Sequence, residues 1–403
     1  MDKNARGISP GRLTWGYFRR NRVAMGGLSV IMLAFLISIT GYMISPDNTP
    51  HANTQILEIA LEKPGFSSDF LKVRRNELPG KRSFLSALFT GRPADHRYVP
   101  FLSMRMEADR VVVREYSPYE EDRFYSEYRL VDVLYPVGRS GYTYDQEREE
   151  VRVRLMDGSE VEAKIGTLRE RVRDEHVVKK RFLLGTDRFG RDMLSRLILG
   201  TRVSLSVGFV AVSISLLVGL LLGGIAGYFR GWIDRAIMWL VNVVWSVPTL
   251  LMVIAITLVL GKGYWQVFVA VGMTMWVEVA RVVRGQVLGL REKEFIESAR
   301  AMGMRSSGII FRHIIPNTLS PVIIISAANF ATAILLEAGL SFLGIGVQPP
   351  VPTWGGMVKE HYGFIIVDQG YLAFIPGVAI MLMVLSFTLV GNGLRDAMDT
   401  RAL

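Results

Sequence analysis

The segment Glu297-Ser298-Ala299-Arg300-Ala301-Met302-Gly303, with Arg305 next and Pro316 thirteen residues after the glycine, constrains this chain's chemistry most. Small side chains at 298, 299, 301 and 303 let a foreign backbone or side chain approach closely. Gly303 interrupts the helix, and Pro316 is expected to fix where the next one begins. The segment lies on a basic loop, about residues 291–312, between two apolar runs. A polar helix held at a membrane face is a docking device, not a catalytic centre. No G-x-x-x-x-G-K-[ST] string occurs, so the chain is not expected to cradle nucleotide phosphates in a P-loop. Gly261-Lys262-Gly263 lacks the rest of that motif. The five histidines (51, 96, 176, 313, 361) show no pair at ligand spacing, and with no cysteine there is neither a thiolate metal site nor a disulfide. The expectation is no metal and no cofactor bound by this chain.

The elements that must carry the docking segment are membrane spans. Of 403 residues 50% are apolar, and five uncharged runs are each long enough to cross a bilayer: Val23–Ile44, Val203–Gly227, Ala236–Leu260, Ile314–Leu336 and Tyr371–Leu394. A sixth, Tyr264–Val277, is uncharged for only 14 residues before Glu278. Its neighbours favour a span whose helix continues into the cytoplasm through Arg281 and Arg284. The expected fold class is therefore an all-α polytopic membrane protein with six transmembrane helices and a small β-rich extracytoplasmic insert after the first. The first run is read as an uncleaved anchor, because Ser45-Pro46-Asp47 offers no small-x-small cleavage pattern.

Charge gives the orientation. The short loops on one side hold 17 basic residues, against Lys262 and Lys359 on the other. Positive-inside then puts both termini and the 281–316 loop in the cytoplasm. The long segment 45–202 carries 28 basic and 26 acidic groups and is exempt from that rule. The formal net charge of +10 is thus a topology signal, and no nucleic-acid partner is implied. Trp15 to Arg22 form a basic amphipathic start suited to lipid headgroups.

Four regions result: residues 1–46 (cytoplasmic N-terminus and first span), 47–181 (α+β insert), 182–394 (five-helix core) and 395–403 (cytoplasmic tail). In the insert, Ile56–Leu61 and Phe84–Phe89 look helical, with Pro64-Gly65 and Pro79-Gly80 as breakers. Arg110–Val113 and Tyr128–Tyr135 read as strands. Val151–Leu155 and Val161–Ile165 around Asp157-Gly158 read as a hairpin. No ligand constellation appears in it, so it reads as a structural cap rather than a substrate-selecting module.

Two further motifs flank the core. Gly185-Thr186-Asp187-Arg188-Phe189-Gly190-Arg191-Asp192-Met193-Leu194-Ser195-Arg196 leads to Gly200. Met193, Leu194, Leu197 and Ile198 share one face, predicting a short interfacial helix ended by Gly200. Glu337-Ala338-Gly339-Leu340-Ser341-Phe342-Leu343-Gly344-Ile345-Gly346-Val347-Gln348-Pro349-Pro350 runs on to Trp354-Gly355. Gly339, Gly344 and Gly346 would permit tight packing at an external mouth, with a re-entrant course among the alternatives. Glu278 and Arg281 are expected to form an i,i+3 ion pair, and Asn242, Asn329 and Asn392 to bridge helices. His313 is expected to pack or cap.

These strings resemble a known family. The 297–303 segment is similar to the EAA loop of ATP-binding-cassette importer permeases, with Ser298 replacing the usual second Ala. The 184–208 and 337–355 strings closely resemble signatures of dipeptide and oligopeptide permeases, in the subunit type that begins like Phe18-Arg19-Arg20-Asn21-Arg22. The insert is longer than that family leads one to expect. The resemblance implies a multi-pass permease of a bacterial cytoplasmic (inner) membrane that imports di- or oligopeptides. It also implies a second, non-identical permease subunit, two cytoplasmic ATPases that hold ATP and Mg, and an external solute-binding protein. Glu297, Ser298, Ala299 and Gly303 would touch the ATPase, with Arg300 and Arg305 flanking. Nickel or another small solute is the alternative cargo. A membrane-anchored sensor, a channel or an exporter fits less well.

Overall fold

The structure, a computed structural model, describes residues 10–77, 83–119, 124–261 and 263–398. The Pro79-Gly80 breaker, Lys262 and the end of the tail lie outside the described residues. Two compact units emerge, Ile39–Leu199 and the remainder of the chain.

The remainder is helical. After α1 (Pro10–Arg20) and α2 (Arg22–Ile44) come α6 (Met193–Phe229), α7 (Gly231–Trp245), α8 (Thr249–Leu260), α9 (Tyr264–Arg291) and α10 (Glu294–Ala301). Then follow α11 (Ser306–Ile309), a π-helical turn Ile310–Ile314, α12 (Ile315–Asn317), α13 (Leu319–Leu343), α14 (Trp354–His361) and α15 (Tyr371–Met398). Five of these helices are long and apolar enough to cross a membrane, or six if α7 and α8 count as one span. The run Ala236–Leu260 is not one straight helix: α7 and α8 meet at a 92° bend over Ser246-Val247-Pro248. Proline cannot donate the next helical hydrogen bond, and its ring disfavours helical backbone before it.

Three glycines, Gly219, Gly223 and Gly227, recur every fourth residue on α6 and lie against α9. A Cβ at Gly223 would stand 2.5 Å from the carbonyl oxygen of Ala280, and one at Gly219 2.5 Å from Val279 Cβ. This small-residue stripe replaces side-chain interdigitation with backbone contact. On α9, Gly272, Trp276, Val279, Val283 and Val287 form the buried face. The helix continues through Arg281 and Arg284, as the sequence implies. Pro316 does not open the next long helix; the chain is already helical from Ser306, and α13 starts at Leu319.

The unit Ile39–Leu199 holds β1 (Phe66–Arg74), α3 (Phe84–Thr90), β2 (His96–Glu107), β3 (Arg110–Glu115), β4 (Tyr125–Arg129) and α4 (Leu130–Leu134). It continues with β5 (Val137–Asp145), β6 (Glu150–Leu155), β7 (Glu160–Lys164), α5 (Ile165–Arg171) and β8 (Val177–Phe182). An antiparallel five-stranded sheet runs β4-β3-β2-β1-β8, and a three-stranded sheet runs β5-β6-β7. The hairpin at Asp157-Gly158 forms, with Val153 opposite Val161 and Gly158 in the left-handed region. Val151 and Val153 are buried while Arg152 and Arg154 are exposed, which is the period-two pattern made physical.

The stretch Tyr128–Tyr135 is only partly strand. From Leu130 it turns helical because Leu130, Val131, Val133 and Leu134 fall at helical spacing, all four are buried, and Arg129 clamps Asp132 at 2.8 and 3.1 Å. The segment Ile56–Leu61 narrows to a single 3₁₀ turn at Leu57–Ile59. Strands β1 and β8, not anticipated from composition, complete the larger sheet.

Candidate functional site

The docking segment is α10, eight residues long. Ile296 and Ala299 are buried among Val283, Val287, Ile309, Ile310 and Ile314. That packing leaves Glu297, Ser298, Arg300, Ala301, Gly303 and Arg305 exposed. Ala299, expected from the sequence to touch a partner, instead faces the chain's own core, 2% exposed. Two exposed apolar side chains that the sequence reading passed over, Phe295 and Met302, join the outward face; Met302 is 76% exposed.

Gly303 sits at φ +77 and closes the helix. Its amide donates to the Arg300 carbonyl (3.0 Å), and the Met304 amide donates to the Ala299 carbonyl (3.1 Å), the paired bonds of a Schellman motif. The guanidinium groups of Arg291 and Arg300 both lie over the ring of Tyr228, at 5.9 and 5.8 Å from its centroid. Tyr228 at the end of α6 therefore ties α9 and α10 to the bundle; nothing in its local sequence signalled this. Arg284 clamps Asp234 bidentately at 2.5 and 2.7 Å, fixing α7 to α9 about two turns before α9 ends.

The 185–196 motif lies in the unit Ile39–Leu199 and is buried rather than interfacial. Asp187 is fully buried, and its carboxylate accepts from the Arg191 side chain (2.6 Å), the Arg191 amide (3.0 Å) and the Phe189 amide (2.9 Å). Arg196 stands 3.6 Å away. Thr186 Oγ1 donates to the Ile59 carbonyl and accepts from the Glu62 amide. Ser195 donates to Asp192 and accepts from the Asp47 amide.

Two glycines of this motif are required by close approach. A Cβ at Gly190 would fall 1.7 Å from the Ile56 carbonyl oxygen, and one at Gly185 2.3 Å from that of Glu62. The motif is a clasp on residues 47–62. Helix α6 begins at Met193 and runs through Gly200 without ending there. Gly200 instead admits Trp354, whose Cδ1 would lie 2.8 Å from an added Cβ.

Beside the clasp, a cavity of about 140 Å³ is lined by Asp47, Ile56, Lys180 and Asp192. The Lys180 ammonium sits 3.2 Å from the centroid of the Tyr98 ring, and burial lowers its pKa to about 8. Burial also raises Asp192 above the usual carboxylate range, opposed by the Ser195 hydrogen bonds. The strands bring His96 and His176 together, ring centroids 5.5 Å apart, although 80 residues separate them in sequence.

The second outer motif belongs to the other unit and ends α13. Glu337 is fully buried and accepts from Ser341 Oγ at 2.7 Å. Gly344, at φ +80, closes α13 as Gly303 closes α10: its amide reaches Ser341 and that of Ile345 reaches Leu340. A Cβ at Gly346 would collide with Ser341. Gly339, by contrast, has nothing within 4 Å of an added Cβ, so no close packing within this chain requires it. Gln348 Nε2 donates to the Gly346 carbonyl (2.7 Å), Pro349 leads into the loop before α14, and Trp354 is buried at the start of that helix.

The Glu278–Arg281 pair does not form. Arg281 stacks on Trp245, 3.9 Å from the ring centroid, and donates to Asn242 Oδ1 at 2.9 Å. Asn242 thereby bridges α7 and α9, as expected of it. Asn329 is buried, Asn392 is exposed, and His313 lies in the π-helical turn.

Residues 219–403 match the model of the binding-protein-dependent transport system inner membrane component. Residues 9–64 match the N-terminal transmembrane domain of oligopeptide transport permease C. The chain is 44% identical over 217 residues to a dipeptide transport system permease protein of Alkalihalophilus pseudofirmus, spanning 54% of this chain and 71% of that one. It is 42% identical over 218 residues to a glutathione transport system permease protein of Pectobacterium atrosepticum, spanning 54% and 72%. A solved MetNI methionine ABC transporter in an inward-facing conformation superposes with a TM-score of 0.43 at 18% identity, over 51% of this chain and 97% of that one.

Proposed function

Because the chain belongs to the family of binding-protein-dependent transport system inner membrane components, we propose that it is the permease subunit of an ATP-driven importer of short peptides. The observation that carries the reading is the construction of α10. Its inner side is bolted to α9 by Ile296 and Ala299, while Glu297, Ser298, Arg300 and Met302 remain exposed to a partner. A force applied to that outer face is transmitted to a 28-residue helix rather than absorbed by a loop.

In this reading six spans cross a bacterial cytoplasmic membrane, the α7–α8 pair counting as one. Both termini and α10 are cytoplasmic, and the unit Ile39–Leu199 is extracytoplasmic. Two cytoplasmic ATPases supply ATP and Mg; this chain binds neither. A second, non-identical permease and an external solute-binding protein complete the assembly. ATP binding draws the ATPases together, and the spans alternate between outward and inward access. The named cargoes of the relatives, a dipeptide and glutathione, set the size class.

Uptake of a labelled di- and tripeptide panel by cells lacking this chain tests the reading. Loss of uptake, restored by the intact chain, supports it. Unchanged uptake of every peptide moves the cargo to nickel or another small solute.

A further inference from the structure

Glu278 lies fourteen residues into α9, about 21 Å from its start, at the depth of a membrane span. It is exposed on the single chain, yet among the described residues it makes no ion pair. Arg281, its nearest sequence partner, is held away by Trp245 and Asn242. An ionisable side chain at that depth faces a bundle interior or a water-filled path rather than lipid, because exposing it to hydrocarbon is costly.

The surroundings say which. Glu278 lines a cavity of about 110 Å³ with Trp245, Thr249, Thr274 and Thr332. The cavity opens at the α7–α8 break, where Trp245 is the last residue of α7 and Thr249 the first of α8. Broken helices at membrane depth are tolerated where they line such a space. The last carbonyls of α7 and the first amides of α8 both end at this break, so their partial charges, about half an electron each and opposite in sign, offset one another. Three threonine hydroxyls add neutral hydrogen-bonding capacity. Glu278 is the charged group among the described lining residues, so the pocket is biased towards a cation that can donate several hydrogen bonds, and its size suits a small headgroup rather than a whole peptide.

We infer that the Glu278 pocket is a subsite of the transport path that receives the ammonium group of the transported solute. This rests on the permease reading and deepens it. For a peptide the group is the free amino terminus, so Glu278 discriminates against amino-blocked cargo. Arg281, one turn further along α9, is kept out of the pocket by its stack on Trp245. Without that stack it would neutralise the carboxylate.

Two measurements on the assembled transporter test this. The chain has no cysteine, so Thr332→Cys places its only thiol on the pocket wall with Glu278 intact. In membranes that thiol should react with a cationic, water-soluble methanethiosulfonate faster than with its anionic counterpart. A free-amine solute should protect it, and its Nα-acetyl analogue should not. No labelling by either reagent would overturn the inference, whatever the cargo proves to be.

The second is uptake by Glu278→Gln of a tripeptide and of its Nα-acetyl form. A tenfold or greater loss of the preference for the free amine supports the inference, and wild-type preference in the variant overturns it. If the wild-type transporter moves no peptide while a small amine still protects the thiol, the peptide assignment fails and the subsite stands.

Discussion

The Met304 amide donates to the Ala299 carbonyl across Gly303, at 3.1 Å, so the side chain that anchors α10 and the bond that ends it belong to one residue. The outward face of α10 is thus held at both levels, side chain and backbone, by the same few atoms.

Substitution of Gly303 should act through backbone strain, since nothing lies within 4 Å of an added Cβ and only φ +77 opposes one. Gly303→Ala should cost about 1 kcal/mol of helix-end stability, near fivefold in the affinity of α10 for the proposed ATPase partner, and Gly303→Asn less. Pull-down of the ATPase by each variant measures the order. Equal retention by Ala and Asn variants would argue that the left-handed turn is unimportant.

The α6 stripe should behave oppositely. Gly223→Leu places carbon atoms against the Ala280 carbonyl and Val283, forcing α6 and α9 apart at a cost of at least about 1–3 kcal/mol. Gly285→Ala, with nothing within 4 Å and a better helix former in place, should hold or raise the melting temperature in detergent. A Gly223→Leu protein melting like wild type would mean the helices are not in backbone contact.

The clasp should be intolerant of charge removal. Asp187→Asn leaves the buried guanidinium groups of Arg191 and Arg196 without their carboxylate, a change of about 3–5 kcal/mol for a broken buried pair. Limited proteolysis should then cut within residues 47–62, which the clasp holds. Protection equal to wild type would show that the segment is secured elsewhere.

Acid should weaken the unit Ile39–Leu199 through its histidine pair. Burial, with Arg74, His176 and Lys72 nearby and only Asp95 opposing, lowers His96 to about 4, and burial lowers His176 as well. The unfolded chain then takes up protons near pH 6.5 that the folded one refuses. Stability is therefore full above that pH and falls as the pH drops towards 4. Thermal melts at pH 7.5 and 5.0 should show a larger acid loss for wild type than for His96→Gln. An identical loss in both would remove His96 from the account.

Much of the fold was legible in the sequence because long apolar runs and alternating strands are local patterns. The α9 span was read through Glu278 into its basic end, and the β6–β7 hairpin was read from Asp157-Gly158. The local reading failed where a distant partner decided the outcome. Gly200 looks like a helix stop but is a seat for Trp354. Arg191 and Arg196 lie off the apolar face of the expected interfacial helix, yet close on Asp187. Glu278 and Arg281 have the spacing of an ion pair, yet an aromatic ring and an amide from another helix claim the arginine first.

The order of residues by itself determined the membrane-spanning character, the charge asymmetry of the short loops and the three glycine-rich strings, since each depends on neighbours along the chain. Only the tertiary structure decided that Ala299 points inward, that α7 and α8 part at a right angle, and that Glu278 has no counter-ion among the described residues. Those outcomes turn on which side chains from separate helices reach the same space first, and spacing along one helix carries no record of that competition.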